Sequence, residues 1–249
     1  MFTYTLTCII IICMISVVIP AYNEEANIFA CLDALTKQTT KREFEVIVVN
    51  NNSTDKTATI AKSFQKSLHL RIIDENIKGR GSARFTGFSN AKGNIILSTD
   101  ADSIVTSEWI ESTISFLEHN NCVAVTGLCS ITDLHKIRAF LLRIMLPTSF
   151  YIYRLLFGHF WLSGFNFGIY KTIYEKAGGF KKELNTLEDI DLSIRVAKIG
   201  NIAYAKKNKV SFSGRRFQNG VLNGYYQYFS AMVLYVLFKK KDVHMSDVR

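Results

Sequence analysis

The sequence predicts an α/β fold, Rossmann-like and doubly wound, in which a mostly parallel sheet carries helices on both faces. Short runs of β-branched residues alternate along the chain with segments whose apolar residues recur at helical spacing. These runs are apolar without a break, as expected for strands that are covered on both sides. The chain has 249 residues, of which 48% are hydrophobic, so it can form one domain with a substantial core.

The predicted elements follow one another regularly in the N-terminal half. Strands are predicted for residues 16–19, 45–49, 70–73, 94–98 and 122–126. Helices are predicted for residues 24–37, 54–67, 82–91 and 107–118. Asn23 is the expected N-cap of the first helix, because an Asn side chain can accept hydrogen bonds from the free amides there. Strands that alternate with helices in this way form parallel sheets through crossover connections.

Charge and cysteine content narrow the class of protein. The chain carries 30 Lys and Arg against 21 Asp and Glu, and the basic excess lies in the C-terminal half. This imbalance suits contact with an anionic surface, although ordinary solvated charge would give the same count. Five cysteines without a C-x-x-C pair indicate reduced thiols in the cytoplasm. Residues 1–14 form an apolar extension, a candidate N-terminal anchor that lacks the basic start of a signal peptide.

Polar clusters follow three of the predicted strands, at the ends where open α/β sheets bind ligands. They are residues 20–24, residues 50–53 and the run Asp100-Ala101-Asp102. Side chains two apart in an extended segment point to the same side, so both aspartates can face one ligand. Carboxylates this close repel each other unless a cation lies between them, and Mg²⁺ or Mn²⁺ suits such oxygen donors. A solvated Asx turn is the alternative.

Two further segments give weaker indications. Residues 78–84 form a basic, Gly-containing turn into a helix that could present amides and guanidinium groups to a phosphate, or could be a solvated loop. Residues 187–195 begin a helix in which Ile190, Ile194 and Ala197 are predicted to face inward. The acids in its first turn could be functional or could simply stabilise the helix N-terminus.

The ordered set of segments resembles the family 2 glycosyltransferases, which have the GT-A fold. The resemblance covers roughly residues 14–217 and rests on I-S-V-V-I-P-A-Y-N-E-E, E-V-I-V-V-N-N-N-S-T-D-K-T, I-L-S-T-D-A-D-S, G-F-N-F-G-I-Y-K with A-G-G-F, and L-E-D-I-D-L-S-I-R. It implies an inverting enzyme that transfers a sugar from a nucleoside-diphosphate sugar and uses Mg²⁺ or Mn²⁺.

The resemblance also implies roles for individual residues. Asp189 matches the catalytic base of the family's E-D pair, and Asp100 and Asp102 match the metal-binding D-x-D element. The implied substrate-binding residues are Pro20, Ala21, Tyr22, Glu24, Asn51, Arg84, Asp100, Ala101, Glu188 and Arg216. Asn50 and Asn51 stand where the family commonly has two aspartates, so the nucleotide base stays open. No Q-x-x-R-W sequence is present, which argues against processive synthesis.

The C-terminal half indicates where the acceptor binds. Residues 136–170 are rich in apolar and aromatic side chains, but the interspersed arginines predict that no stretch is long enough to span a membrane. Residues 225–238 are mostly apolar and precede Lys239, Lys240 and Lys241, a pattern typical of an interfacial helix on an anionic leaflet. An ordinary helix packed on the sheet would show the same pattern.

These observations predict the organisation and the partners of the chain. A GT-A domain over 15–217 has a nucleotide-binding half, 15–103, and an acceptor half, 104–217, and is followed by an amphipathic basic segment, 218–249. The expected partners are a nucleoside-diphosphate sugar, a glycan or lipid-linked acceptor and an anionic membrane at the cytoplasmic face, with no nucleic acid. A polyprenyl-phosphate sugar synthase, which needs no base, and a non-enzymatic basic binding protein are the alternatives.

Overall fold

The computed structural model describes residues 14–131 and 136–212, together with Ser230, Met232 and Tyr235. Its strands are β1 (Ile15–Ala21), β2 (Phe44–Asn50), β3 (Leu70–Asp74), β4 (Ile95–Ser98), β5 (Ser103–Val105), β6 (Ala124–Ile131), β7 (Phe167–Tyr170) and β8 (Ile202–Phe212). Its helices are α1 (Ile28–Thr36), α2 (Thr57–Ser63), α3 (Arg80–Ser89), α4 (Trp109–His119), α5 (Lys136–Phe157), α6 (Lys171–Lys176) and α7 (Glu188–Ala197).

The described strands form one eight-stranded sheet in the order β3-β2-β1-β4-β7-β6-β8-β5. The four strands β3, β2, β1 and β4 are mutually parallel. Beyond β4 the sheet is mixed, because β7 runs antiparallel to β4 and β6, and β5 runs antiparallel to β8. The predicted α/β class with a mostly parallel sheet is therefore confirmed. The antiparallel pairs all lie between β4 and the β5 edge of the sheet.

Helices cover both faces of the sheet because successive strand residues point to opposite sides. Val17 and Ile19 of β1 pack in the core under α1, α2 and α4, whereas Val18 packs in the core under α3, α5, α6 and α7. The same alternation in β2 sends Val48 to the first core and Val49 to the second. This two-sided burial explains the unbroken apolar runs in the sequence.

Two predictions of helix detail are wrong. Helix α1 begins at Ile28, because the amides of Asn27 and Ile28 donate to the Glu24 carbonyl, and residues 24–27 form a turn. Asn23 has a left-handed backbone (φ 51°), and its side chain accepts a hydrogen bond from the amide of Thr54 at 2.9 Å rather than capping the helix. In α7 the predicted inward positions are confirmed, since Ile190 is buried and Ile194 and Ala197 are half-buried and pack against the hydrophobic clusters.

Helix α5 also corrects an expectation. It runs without interruption through the arginines and Pro147 that separate its apolar residues. Its segment Phe140–Phe157 is long and apolar enough to cross a membrane, judged by length and composition alone, so the prediction that no such stretch exists is wrong. The arginines do not interrupt the helix, so its apolar stretch is longer than their spacing in the sequence suggests.

Some predicted features fall outside the described residues. These are the N-terminal extension except Met14, Arg216, and the segment 218–249 except Ser230, Met232 and Tyr235. Met232 and Tyr235 pack in a cluster with Leu187 and Ile190, beside the helix that carries Asp189. The Tyr235 hydroxyl donates to Oδ1 of Asp191 at 2.6 Å. The predicted membrane contact of this segment stays a prediction.

Candidate active site

The sheet brings the three predicted polar clusters to one edge. Strand β1 lies between β2 and β4, so its carboxyl end is next to theirs. Ala21 is opposite Asn50 across the β1–β2 pair, and Val18 is opposite Ser98 across the β1–β4 pair. The prediction that the clusters after these strands converge is therefore confirmed.

The D-A-D run lies directly after β4. Ala101 is buried in the core under α1 and α4, whereas the two aspartates on either side of it are half-buried. Ala101 and Asp102 form a turn between β4 and β5, so the extended geometry expected for this run is replaced by a turn. Oδ1 of Asp100 accepts a hydrogen bond from Nη2 of Arg84 at 2.7 Å.

This pair of carboxylates suits a divalent cation that is bound together with a substrate. In the described chain no three His, Cys, Asp or Glu side chains are grouped as metal ligands. Asp100 and Asp102 alone would supply two hard oxygen donors, and Mg²⁺ is commonly bound by one or two carboxylates, water and substrate phosphates. The donor set present therefore fits Mg²⁺ or Mn²⁺ with a diphosphate.

Arg84 connects the D-A-D run to the helix of the predicted base. Its guanidinium is buried and donates to Asp100, to Oε1 of Glu188 at 3.2 Å, and to two oxygens at the end of β4. These are Ser98 Oγ and the Gly164 carbonyl, both at 2.9 Å. The structure shows that Arg84 holds the side chains of Glu188 and Asp100 in place. Direct contact of Arg84 or Glu188 with a nucleotide stays a prediction.

The buried Arg84 guanidinium keeps its charge because of the carboxylates around it. Burial lowers the pKa of the Arg84 guanidinium, but the charges of Asp100, Glu188 and Asp189 outweigh burial and raise that pKa above its usual value. A buried charge is tolerated only when it is paired and fully hydrogen-bonded. Arg84 therefore stays charged and fixes the separation between the D-A-D run and helix α7.

Gly164 is a site residue to which the sequence analysis assigned no role. Strand β7 runs against β4, and Phe167 pairs with Ser98, so the residues just before β7 lie at the carboxyl end of β4. A Cβ on Gly164 would lie 2.4 Å from Nη2 of Arg84, so the guanidinium occupies the space that any side chain would need. Gly164 is the first residue of the segment G-F-N-F-G-I-Y-K, which the sequence analysis did single out. Only the antiparallel pairing of β7 with β4 shows that this glycine makes room for Arg84.

Asp189 lies in the first turn of α7, on the same edge. Its Oδ2 accepts a hydrogen bond from the Gly164 amide at 3.3 Å, and its Oδ1 accepts one from the Ile190 amide at 2.8 Å. Burial and the neighbouring Glu188 carboxylate raise the pKa of Asp189 to about 7, while Arg84 and these two amides oppose the rise. Such a pKa suits a group that takes up and releases a proton near neutrality.

The last residues of β1 and those directly after it lie at the same edge of the sheet. Tyr22 is half-buried, and its hydroxyl accepts a hydrogen bond from Nζ of Lys78 at 2.7 Å. Glu24 is buried, and its amide donates to Thr57 Oγ1 at 2.8 Å. Pro20 and Ala21 end β1, and the Ala21 carbonyl accepts a hydrogen bond from the Asn51 amide. Their predicted contacts with a nucleoside stay predictions.

Asn51 stabilises the loop that precedes α3. Its Nδ2 donates to the carbonyls of Glu75 and Ile77, and its Oδ1 accepts from the Gly79 amide at 2.8 Å. The amide of Gly81 donates to the Leu184 carbonyl, so this amide of the predicted phosphate-binding turn is used inside the protein. In contrast, the neighbouring Asn50 donates to the exposed carboxylate of Asp74 at the end of β3.

Solved structures share this fold. The chain superposes on S. aureus TarS in complex with UDP-GlcNAc with a TM-score of 0.68 and 19% identity, over 90% of this chain and 73% of that chain. A mannosyltransferase from Pyrobaculum calidifontis, solved with GDP-Man and Mn²⁺, gives a TM-score of 0.68 and 20% identity, over 91% and 65% of the two chains. The fold is that of the GT-A-type transferases.

Sequence comparison identifies the family. The model of Glycosyl transferase family 2 matches residues 16–178, and the chain belongs to that family. Glycosyltransferase AglE of Haloferax volcanii is 38% identical over 47% of this chain and 40% of its own length. Probable glycosyltransferase YdaM of Bacillus subtilis is 30% identical over 75% of this chain and 47% of its own length. The chain thus covers less than half of either relative.

The buried position of Arg84 leads to a stability prediction. Replacing Arg84 with Gln should lower the free energy of unfolding by about 3–5 kcal/mol, because Glu188 loses its cation inside the protein. Arg84→Lys keeps the charge but loses the planar fork, so it should retain more stability. Urea denaturation of the purified variants measures both effects.

Arg42→Gln is the matched control, because Arg42 pairs with Glu118 at the surface, where both side chains are about a third exposed. Such pairs contribute about 0–1 kcal/mol. If Arg84→Gln unfolded at the same urea concentration as Arg42→Gln, the connecting role of Arg84 would be refuted.

Proposed function

We propose that the protein transfers a sugar, with inversion, from a nucleoside-diphosphate sugar to a hydroxyl of a lipid-linked acceptor at the cytoplasmic face of a membrane. The observation that carries this proposal is the linked set Asp100, Arg84, Glu188 and Asp189. Through Arg84 and Gly164 it joins Asp100 of the D-A-D run to a carboxylate with a raised pKa at one sheet edge. Family membership and the sugar-nucleotide complexes of the two solved neighbours support it.

The donor would bind across the ends of β1, β2 and β4. Asp100 and Asp102 would hold Mg²⁺ or Mn²⁺, which, when bound, neutralises charge on the diphosphate leaving group. Arg84 keeps the carboxylate of Asp100 in one orientation. Tyr22, with Lys78 beside it, gives the nucleoside side of the cleft an aromatic face and a positive charge.

The acceptor would approach the opposite side of the sugar, at Asp189. Inversion requires that the attacking oxygen loses its proton on the face away from the leaving group, and a carboxylate within hydrogen-bond reach can take that proton. The hydroxyls of Tyr153 and Ser163 are buried and make no hydrogen bond within the described chain. Ser163 precedes Gly164, whose amide donates to Asp189, so one of these two hydroxyls belongs to the segment that contacts the base.

The proposal is tested with a panel of donors. Calorimetry of UDP-, GDP- and dTDP-sugars, each with Mg²⁺, Mn²⁺ or chelator, should find one nucleotide that binds only with metal. Slow metal-dependent hydrolysis of that donor should follow, because water can replace the acceptor. Absence of metal-dependent binding with every donor would refute the proposal and favour a non-enzymatic binding protein. The panel also decides which base the Asn50 and Asn51 region accepts.

A further inference from the structure

Most of the exposed large apolar side chains in the described chain lie on one helix. Ten large apolar side chains are exposed, and seven of them lie on α5. These seven are Phe140, Leu141, Ile144, Tyr151, Ile152, Leu155 and Leu156. Leu155 is 85% exposed and Phe140 is 61% exposed. At 3.6 residues per turn the seven fall within an arc of about 160°, so they form one continuous surface, here called the α5 apolar face.

The opposite side of α5 is attached to the protein. Leu142, Phe150 and Tyr153 are buried, and Phe150 stacks on Trp161 with the ring centroids 3.8 Å apart. This side of the helix is thus covered by the folded domain, and the exposed side is left for another partner. A helix held in this way can lie in the membrane–water interface, with its exposed apolar side toward the acyl chains.

Basic residues border the α5 apolar face, and acids are absent from the helix. Residues 136–157 include four Lys or Arg and no Asp or Glu. Arg143 and Arg154 are exposed, and helical geometry places them at the same margin of the face. Arg154 lies over the ring of Phe160, and Lys206 of β8 lies over the ring of Tyr151. The surface therefore combines apolar area with a positive border.

We propose that the α5 apolar face is the membrane-docking surface of this protein and lies on an anionic lipid bilayer. Lipid headgroups supply the negative charge that Arg143 and Arg154 require, and the acyl region accepts the exposed side chains. A second copy of the chain would bring two basic helices together and is disfavoured by charge. The same repulsion disfavours the basic run 239–241 as a cover for this face.

Docking through α5 would place the base beside the membrane. Tyr153 of α5 packs in one cluster with Leu187 and Ile190, the residues on either side of the Glu188–Asp189 pair. The charge of Asp189 adds to burial in raising the pKa of the Tyr153 hydroxyl, which reflects how near the two groups lie. A bilayer on the outer side of α5 would thus present a lipid-linked hydroxyl close to Asp189. This last step rests on the proposed function, whereas the docking itself does not.

The test is co-sedimentation of the 249-residue chain with vesicles of phosphatidylcholine, with and without about 30% phosphatidylserine. A triple variant, Phe140→Ser, Ile144→Ser and Leu155→Ser, should lower the partition coefficient by about tenfold or more for each inserted side chain. The double variant Arg143→Gln and Arg154→Gln should lose about fivefold per charge, and only on anionic vesicles. Ile104→Ser is the control, because Ile104 is exposed on β5, outside α5, and its loss should change nothing.

Several results would overturn the docking surface. They are equal sedimentation of the wild type and the triple variant, no sedimentation of the wild type, or complete loss of binding when Lys239, Lys240 and Lys241 alone are changed to Gln. A wild-type dimer that the triple variant converts to a monomer in sedimentation velocity would instead assign the face to a second copy.

Donor hydrolysis without vesicles separates the two proposals. The triple variant should retain it, which shows that the fold and the donor site are intact. If the triple variant is inactive there, the arginine variant decides the docking question by its dependence on phosphatidylserine. If the wild type binds vesicles through α5 but hydrolyses no nucleotide sugar, the proposed function fails while the docking surface stands.

Discussion

Replacement of Asp189 by Asn is expected to lower turnover by about 10²- to 10⁴-fold, the usual contribution of a positioned base. The amide cannot take a proton from an acceptor hydroxyl, yet it nearly matches the carboxylate in size. Donor affinity should change little, because the residues proposed to hold the diphosphate are Asp100 and Asp102. Steady-state kinetics with acceptor, together with calorimetry of the donor, measure the two quantities separately.

The pH dependence gives this prediction a second readout. A base acts only when it is deprotonated, so kcat/KM should rise as the pH increases through about 7, the raised pKa of Asp189, and level off above it. The Asn variant should lack this rise. Asp191→Asn is the control: Asp191 is bound by Lys181, Arg195 and Tyr235, so its loss should reduce stability but leave the pH dependence of kcat/KM in place.

The same variant separates the two enzymatic alternatives. A polyprenyl phosphate is already ionised at neutral pH and needs no base. Near-normal turnover of Asp189→Asn with a lipid phosphate acceptor would therefore contradict a hydroxyl acceptor and identify a polyprenyl-phosphate sugar synthase. Loss of turnover with a hydroxyl acceptor, at unchanged donor affinity, would support the proposed reaction.

Replacement of Asp102 by Asn should abolish metal-dependent donor binding. It removes an anionic oxygen ligand, and even changes to residues that only orient metal ligands typically cost 10- to 100-fold in affinity, so a loss of about 100-fold or more is expected. Asp102 is half-buried and Asn has almost the same volume, so the fold should persist. Donor titrations with Mn²⁺ and with chelator, alongside thermal unfolding, check both statements.

Asp33→Asn is the control for this experiment, because Asp33 pairs with Lys37 on the surface of α1. Its donor affinity should equal that of the wild type. Unchanged Mn²⁺-dependent affinity in Asp102→Asn would remove the metal assignment, and with it the explanation for two adjacent carboxylates after β4.

Much of the fold could be predicted because strands and helices leave local patterns. Unbroken β-branched runs located β1, β2 and β4 to within one or two residues, and the rule for parallel sheets then placed the three polar clusters at one edge. Helix boundaries were less accurate. The start of α1 depends on the Glu24 carbonyl and on the turn between β1 and α1, which periodicity does not describe.

The sequence by itself determined the class of fold and, through the order of its motifs, the resemblance to one family. It also determined the candidate pairs Asp100–Asp102 and Glu188–Asp189. These follow from local patterns, since a motif keeps its residues adjacent in the chain. Only the tertiary structure decided what Arg84, Gly164 and α5 do. Strand β7 runs antiparallel to β4, so Gly164 lies against Arg84, and Arg84 reaches Glu188, 104 positions along the chain. Likewise, which side of α5 is exposed depends on how the helix packs on the sheet, because the sequence is apolar on nearly every side.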